Sequence, residues 1–113
     1  MSYETNKKRT DYKSMKEIQK AELVPFPSAD PSENFEFSCT ADAGSFTFHF
    51  KWLNDRWNLW VTLPDGSIRQ AGVEPNVTSW TGFDDYGLIF RTSLPEIDYS
   101  SLFLTEMVLI TWL

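Results

Sequence analysis

Between Ser45 and Ser67 the chain reads S-F-T-F-H-F-K-W-L-N-D-R-W-N-L-W-V-T-L-P-D-G-S. Apolar and polar residues alternate on both sides of Asn54-Asp55. A period of two belongs to a half-buried strand, and two such runs around a short polar turn predict a β-hairpin. With Leu53 opposite Arg56, Trp52 faces Trp57, Phe50 faces Leu59, Phe48 faces Val61 and Phe46 faces Leu63. These side chains then share one face. A slip of one residue would turn the whole set toward water, so the register is strongly specified. The remaining strands must cover this aromatic layer.

The flanking sequence supplies those strands. In Asn34 to Ala41, Phe35, Phe37 and Cys39 point one way and Glu36, Ser38 and Thr40 the other. Asp42-Ala43-Gly44 is the next turn, and Pro64-Asp65-Gly66 closes the hairpin: Pro presets φ, Asp caps locally and Gly accepts positive φ. Further strands are expected over Ser67–Val73, Tyr86–Thr92 and Leu104–Leu113. The last has a Val108-Leu109-Ile110 centre that is apolar on both faces, as in a central or doubly covered strand. Pro75–Asp85 and Pro95–Ser101 read as loops. Leu23–Pro31 holds Pro25, Pro27 and Pro31 and reads as an extended connection. A short helix over Tyr12–Ala21 is the one helical segment the pattern allows. The expected fold is all-β: a small antiparallel β-sandwich or barrel of about six strands with an extended N-terminal arm. Residues 1–22 form the charged N-terminal extension and residues 23–113 a single β-domain. Trp112 and Leu113, in the final strand, are expected to be structural.

Composition narrows the function classes. The chain has 113 residues, 42% hydrophobic and 16% aromatic, enough for one genuine core. No apolar run approaches the roughly 18 to 20 residues of a membrane-spanning helix, and the N-terminus lacks the apolar region of a secretory signal. Cys39 is the only cysteine, so no disulfide forms within the chain and no zinc site can rest on thiolates. Charge is uneven: residues 1–20 carry a net +3 and the rest −9, for a total of −6. An acidic body repels phosphate, which argues against nucleic-acid binding. The basic leader, with Lys7, Lys8 and Arg9, is either a solvated tail or a contact for an acidic neighbour, including another copy of the chain.

No residue set organises catalysis. His49 is the only histidine, with no nucleophile motif around it and no orienting partner in the pattern. Asp84-Asp85 and the Glu96/Asp98 pair sit in loops without the glycine-bearing ligand loop of a calcium site, and read as solvated charges. Cys39 belongs to the apolar face of its strand and reads as a structural thiol. Asn76-Val77-Thr78 matches a glycosylation sequon, read as chance without a secretory signal. Trp60 lies on the polar face of the hairpin, and Trp80 and Phe83 occupy a loop. These aromatics are either a contact surface or a second small core under the loop. No cofactor and no metal are expected, and the chain does not read as an enzyme.

The hairpin and its sequel also resemble a known family. Phe48-His49-Phe50-Lys51-Trp52 leads into Asn54-Asp55, then Trp57-Asn58-Leu59-Trp60-Val61, Asp65-Gly66 and Ala71-Gly72-Val73. Tyr86-Gly87-Leu88-Ile89-Phe90 and a terminal hydrophobic strand follow. This order is similar to the small baseplate plug proteins of contractile-tailed bacteriophages of the cyanophage type. It covers residues 22–113; the basic leader and the Pro75–Asp85 loop fall outside the pattern. The resemblance implies a non-catalytic virion component, made in the host cytoplasm and packed near the central hub and tube of the tail baseplate. It implies hub, tube or spike proteins as partners, a homo-oligomer in the virion, and neither nucleic acid nor membrane. The contact candidates are Trp60, Trp80, Phe83, Lys7, Lys8 and Arg9. A different class stays open beside it: a carbohydrate-binding β-sandwich module that stacks sugar rings on exposed tryptophans.

Overall fold

The computed structural model describes residues 18–27, 32–78 and 86–112. Among these residues seven strands build two antiparallel sheets: β1 (Ile18–Val24), β2 (Asn34–Ala41), β3 (Gly44–Leu53), β4 (Arg56–Thr62), β5 (Ile68–Ala71), β6 (Tyr86–Arg91) and β7 (Glu106–Trp112). The larger sheet has the order β2-β3-β4-β5, a meander of consecutive neighbours. The smaller has the order β1-β7-β6, with the last strand of the chain between the first and the sixth. The fold is all-β, as the alternation requires.

The central hairpin pairs Trp52 with Trp57, Phe50 with Leu59 and Phe48 with Val61, the register specified by the hydrophobic pattern. Asn54 and Asp55 both have positive φ, 54° and 60°. That is the conformation of a two-residue type I′ turn, whose twist matches the strands it joins. The expected Phe46–Leu63 pair is not formed, because the ladder ends at Thr47–Thr62. Leu63 instead closes the following turn, donating to Ser67 O at 2.8 Å and accepting from Gly66 N at 2.9 Å. Both Phe46 and Leu63 are nevertheless buried.

Phe46, Phe48 and Phe50 of β3 are fully buried, as are Leu59 and Val61 of β4. Leu88 and Phe90 of β6 and Met107 and Leu109 of β7 close over them from the smaller sheet, with Val24 of β1 at one side. Each such large side chain removed from water contributes roughly 1.5–3 kcal/mol before entropy is counted. Phe50 meets Phe90 edge-on with centroids 6.2 Å apart, and Phe46 meets Tyr86 edge-on at 5.2 Å. One end of the core is closed by Trp52, Trp57 and Tyr99. The Trp57 and Tyr99 rings stack at 5.5 Å, and the Trp57 indole N–H donates to Asp98 O at 2.9 Å. This polar handle lets a large ring be buried without leaving its donor unsatisfied.

The N-terminal part differs from the sequence expectation. Residues 18–21 belong to β1 rather than to a helix, and the sheet takes in residues 18–22, assigned from charge to the extension. A lone short helix with a sparse apolar stripe is marginal, whereas pairing with β7 satisfies the backbone along Ala21–Val24. Lys20 and Glu22 both reach the β2–β3 turn: Lys20 Nζ lies 3.5 Å from Asp42, and Glu22 accepts the Asp42 N–H at 3.2 Å. The final strand begins at Glu106 rather than Leu104, because Leu102–Leu104 forms a single 3-10 turn that buries Leu102 and leaves Leu104 74% exposed.

Candidate contact surface

Since β3 and β4 bury alternate residues, their other residues form the outer face of the larger sheet. Strand register assembles that face in rows. Glu36, His49, Trp60 and Gln70 run across β2, β3, β4 and β5. Ser38, Thr47, Thr62 and Ile68 form the adjacent row, and Asn34, Lys51 and Asn58 the row on the other side. The result is a polar platform with one tryptophan near its middle.

The platform is held by its own hydrogen bonds. His49 Nε2 lies 2.6 Å from Asn34 Oδ1, and the Ser38 and Thr47 hydroxyls are 2.9 Å apart. Asn58 Nδ2 donates to Leu53 O and Arg56 O at 3.3 Å, tying the platform to the hairpin turn. His49 and Trp60 approach with ring centroids 6.1 Å apart, tilted by 48°. Trp60 is partly exposed and Ile68 is 61% exposed. A flat indole beside amide, hydroxyl and carboxylate groups can stack on a planar or apolar partner while its neighbours exchange hydrogen bonds. Of the other contact candidates, Trp80, Phe83, Lys7, Lys8 and Arg9 lie outside the described residues, as do Asp84 and Asp85.

Glu36 and Gln70 are platform residues that the contact candidates did not include. The alternation of β2 places Glu36 on this face, but its position two strands from Trp60, beyond His49, requires the β2-β3-β4 order. Gln70 enters through β5, whose single turn of alternation gives little signal.

The remaining polar candidates serve local structure. Asp98 caps its own loop: its Oδ1 accepts the Ser101 N–H at 3.0 Å and the Ser100 N–H at 3.1 Å. Ser101 and then Ser100, through hydroxyl and backbone donors, hold the Asp98 carboxyl below the usual carboxylate range. Asp65 is lowered likewise by the Ser67 hydroxyl and N–H, at 2.6 and 2.9 Å. Asn76 of the sequon acts as a clasp: Nδ2 donates to Thr92 O at 2.6 Å while Oδ1 accepts the Thr92 N–H at 3.1 Å. Cys39 is partly buried, and burial first, then the charge of Glu22, push its thiol up. Among the described residues no group of three or more His, Cys, Asp or Glu side chains is placed to hold a metal ion.

Comparison with protein-family models, curated proteins and solved structures finds no match to this chain.

Proposed function

We propose that the chain is a structural component of a bacteriophage tail baseplate, a plug-like β-domain that packs against neighbouring subunits near the hub and tube. The reading is supported by the hairpin from Phe46 to Thr62. Its order of aromatic strand, basic residue, Trp, short turn and W-x-L-x-V carries the resemblance to plug proteins. The geometry adds a suitable scaffold. One face of the hairpin is locked into the core, so the other is a rigid display surface with Trp60 at its centre. Buried tryptophans are frequent energetic anchors of protein interfaces. The domain works by shape: it fills space and presents repeated contacts, which identical copies in a ring would share.

Mass spectrometry of purified virions tests this directly. The polypeptide should be found in intact particles and in isolated baseplates, and its absence from both rejects the reading. Trp60→Ala should keep the far-UV circular dichroism of the folded domain and reduce its incorporation into particles.

A second reading, a carbohydrate-binding module, is favoured by one observation: Trp60 sits between His49 and Gln70, with Glu36 beyond His49 in the same row, side chains suited to sugar hydroxyls. Titrating a polysaccharide panel while following tryptophan fluorescence separates the two. A saturable response lost in Trp60→Ala selects the sugar; no response across the panel selects assembly.

A further inference from the structure

The sheets have four lateral edges, and three carry a device that blunts strand addition. β1 has a register break between Ile18 and Lys20 and runs into Pro25. β5 is only four residues long. β6 has Pro75 bridged to Phe90, and the Asn76 N–H donates to Phe90 O at 2.8 Å. β2 has none of these. It is eight residues long, and its register with β3 runs unbroken from Asn34–Lys51 to Ala41–Gly44. Long, regular, unprotected edges are templates for pairing with another chain.

The direction of the β2 backbone groups follows from one bond. Trp52 N donates to Glu33 O at 2.8 Å, so residues 33, 35, 37, 39 and 41 face β3 in the hydrogen-bonding direction. The N–H and C=O groups of Glu36, Ser38 and Thr40 therefore point out of the sheet. Those residues are exposed, and among the described residues nothing bonds these groups. Asn34 is partly closed, since Ser32 Oγ donates to its carbonyl at 3.1 Å.

We infer that β2 is a homodimer edge, at which two copies pair their β2 strands antiparallel about a two-fold axis through Phe37. Antiparallel hydrogen-bonded pairs must join outward-facing residues, which limits the registers to steps of two. Centring on Glu36 would set Glu36 directly against its own copy, a destabilising like-charge pair. Centring on Phe37 sets Glu36 against Ser38 of the second copy and Asn34 against Thr40, with no like charges opposed. On the core side, the same register sets Phe37 against Phe37 and Phe35 against Cys39. Phe35, Phe37 and Cys39 are only partly buried in one chain, and the pairing covers them from the open side. The occupant is thus argued from a half-covered apolar row that its own copy completes, in a register that opposes no like charges. The inference concerns this edge alone and does not depend on the virion assignment.

Sedimentation equilibrium of the full chain tests it. The mass should move with concentration from that of one 13.1 kDa chain toward twice that value. Because each copy is acidic, association should strengthen in about 1 M salt, where the screening length falls to ~3 Å. Ser38→Pro removes an outward N–H that the monomer does not use, so it should leave the domain folded and hold it at the one-chain mass. Phe35→Cys reads the register. In the proposed pairing the new thiol faces Cys39 of the second copy, and mild oxidation should give a covalent dimer that Phe35→Cys with Cys39→Ser does not form. A one-chain mass at all concentrations, a dimer that persists in Ser38→Pro, or a dimer that Phe35→Cys cannot cross-link would each overturn the proposal.

Discussion

The two sheets meet in one core but have opposite exteriors. The outer face of the larger sheet is polar, with Thr47, Thr62, Lys51 and Asn58 around Trp60. The smaller sheet is apolar on both sides. Met107 and Leu109 of β7 enter the core, while Val108 and Ile110, on the alternate face, are 7% and 6% exposed and lie outside the core cluster. Beside Val108 on the same face stand Leu23 of β1, 65% exposed, and Ile89 of β6. A strand that alternates specifies its own inside and outside. A strand apolar on both faces specifies only that it is central, and its neighbours decide the rest.

The largest test of this contrast is a charge placed on each exterior. Ile110→Lys should cost more than about 3 kcal/mol in urea unfolding, because it buries an ammonium without a partner. Thr62→Lys should stay within about 0.5 kcal/mol, as ordinary for a polar surface position. Equal effects would remove the distinction between the two faces.

A smaller effect probes the hairpins of the larger sheet. Gly44 has φ 135°, and a Cβ there would lie 2.9 Å from Pro64 Cβ. Gly44→Ala should therefore cost about 1–3 kcal/mol, through strained backbone and the clash. Unchanged stability would mean that the β2–β3 turn and Pro64 adapt freely. Asp55→Gly should act in the other direction. It relieves a non-glycine residue at φ 60°, for a gain of about 0.5 kcal/mol visible as a higher urea midpoint.

The smallest effect lies in the connection that leads into β7. The folded-state pKa of Asp98 is depressed, so its contribution is present above the unfolded carboxylate value near ~3.9 and is lost as pH falls through the lower folded value. Asp98→Asn should thus lower Tm slightly at neutral pH, with the gap closing as pH falls below the depressed folded value. A gap that persists in acid would trace the effect to packing rather than charge.

How much was legible follows from the same contrast. The hairpin around Asn54-Asp55 could be read from Leu53–Arg56 to Phe48–Val61, because both of its arms alternate and its turn is short, but the expected Phe46–Leu63 pair lies past the end of the ladder. β2 could be read for the same reason, and its bounds fall at Asn34 and Ala41. β1 could not. Ile18-Gln-Lys-Ala-Glu-Leu-Val shows neither period clearly, and its strand character comes from β7, more than eighty residues away. The platform was legible in part. Trp60 stood out as a large ring on a polar face, while Glu36 and Gln70 join its row only through strand order. Asn76 shows the limit of motif reading: the sequon triplet is present, yet its amide is engaged on both sides by Thr92.

What the amino-acid sequence determined alone is the local half of the architecture: the central hairpin, its register and the inward set of Phe46, Phe48, Phe50, Trp57, Leu59 and Val61. Period-two burial and a two-residue turn are short-range properties, so nothing distant is needed to settle them. Tertiary structure alone decided that β1 is a strand, that β7 lies between β1 and β6, and that β2 is the long edge strand among the described residues. Those outcomes depend on which backbone groups find partners across the fold, and no local pattern carries that information.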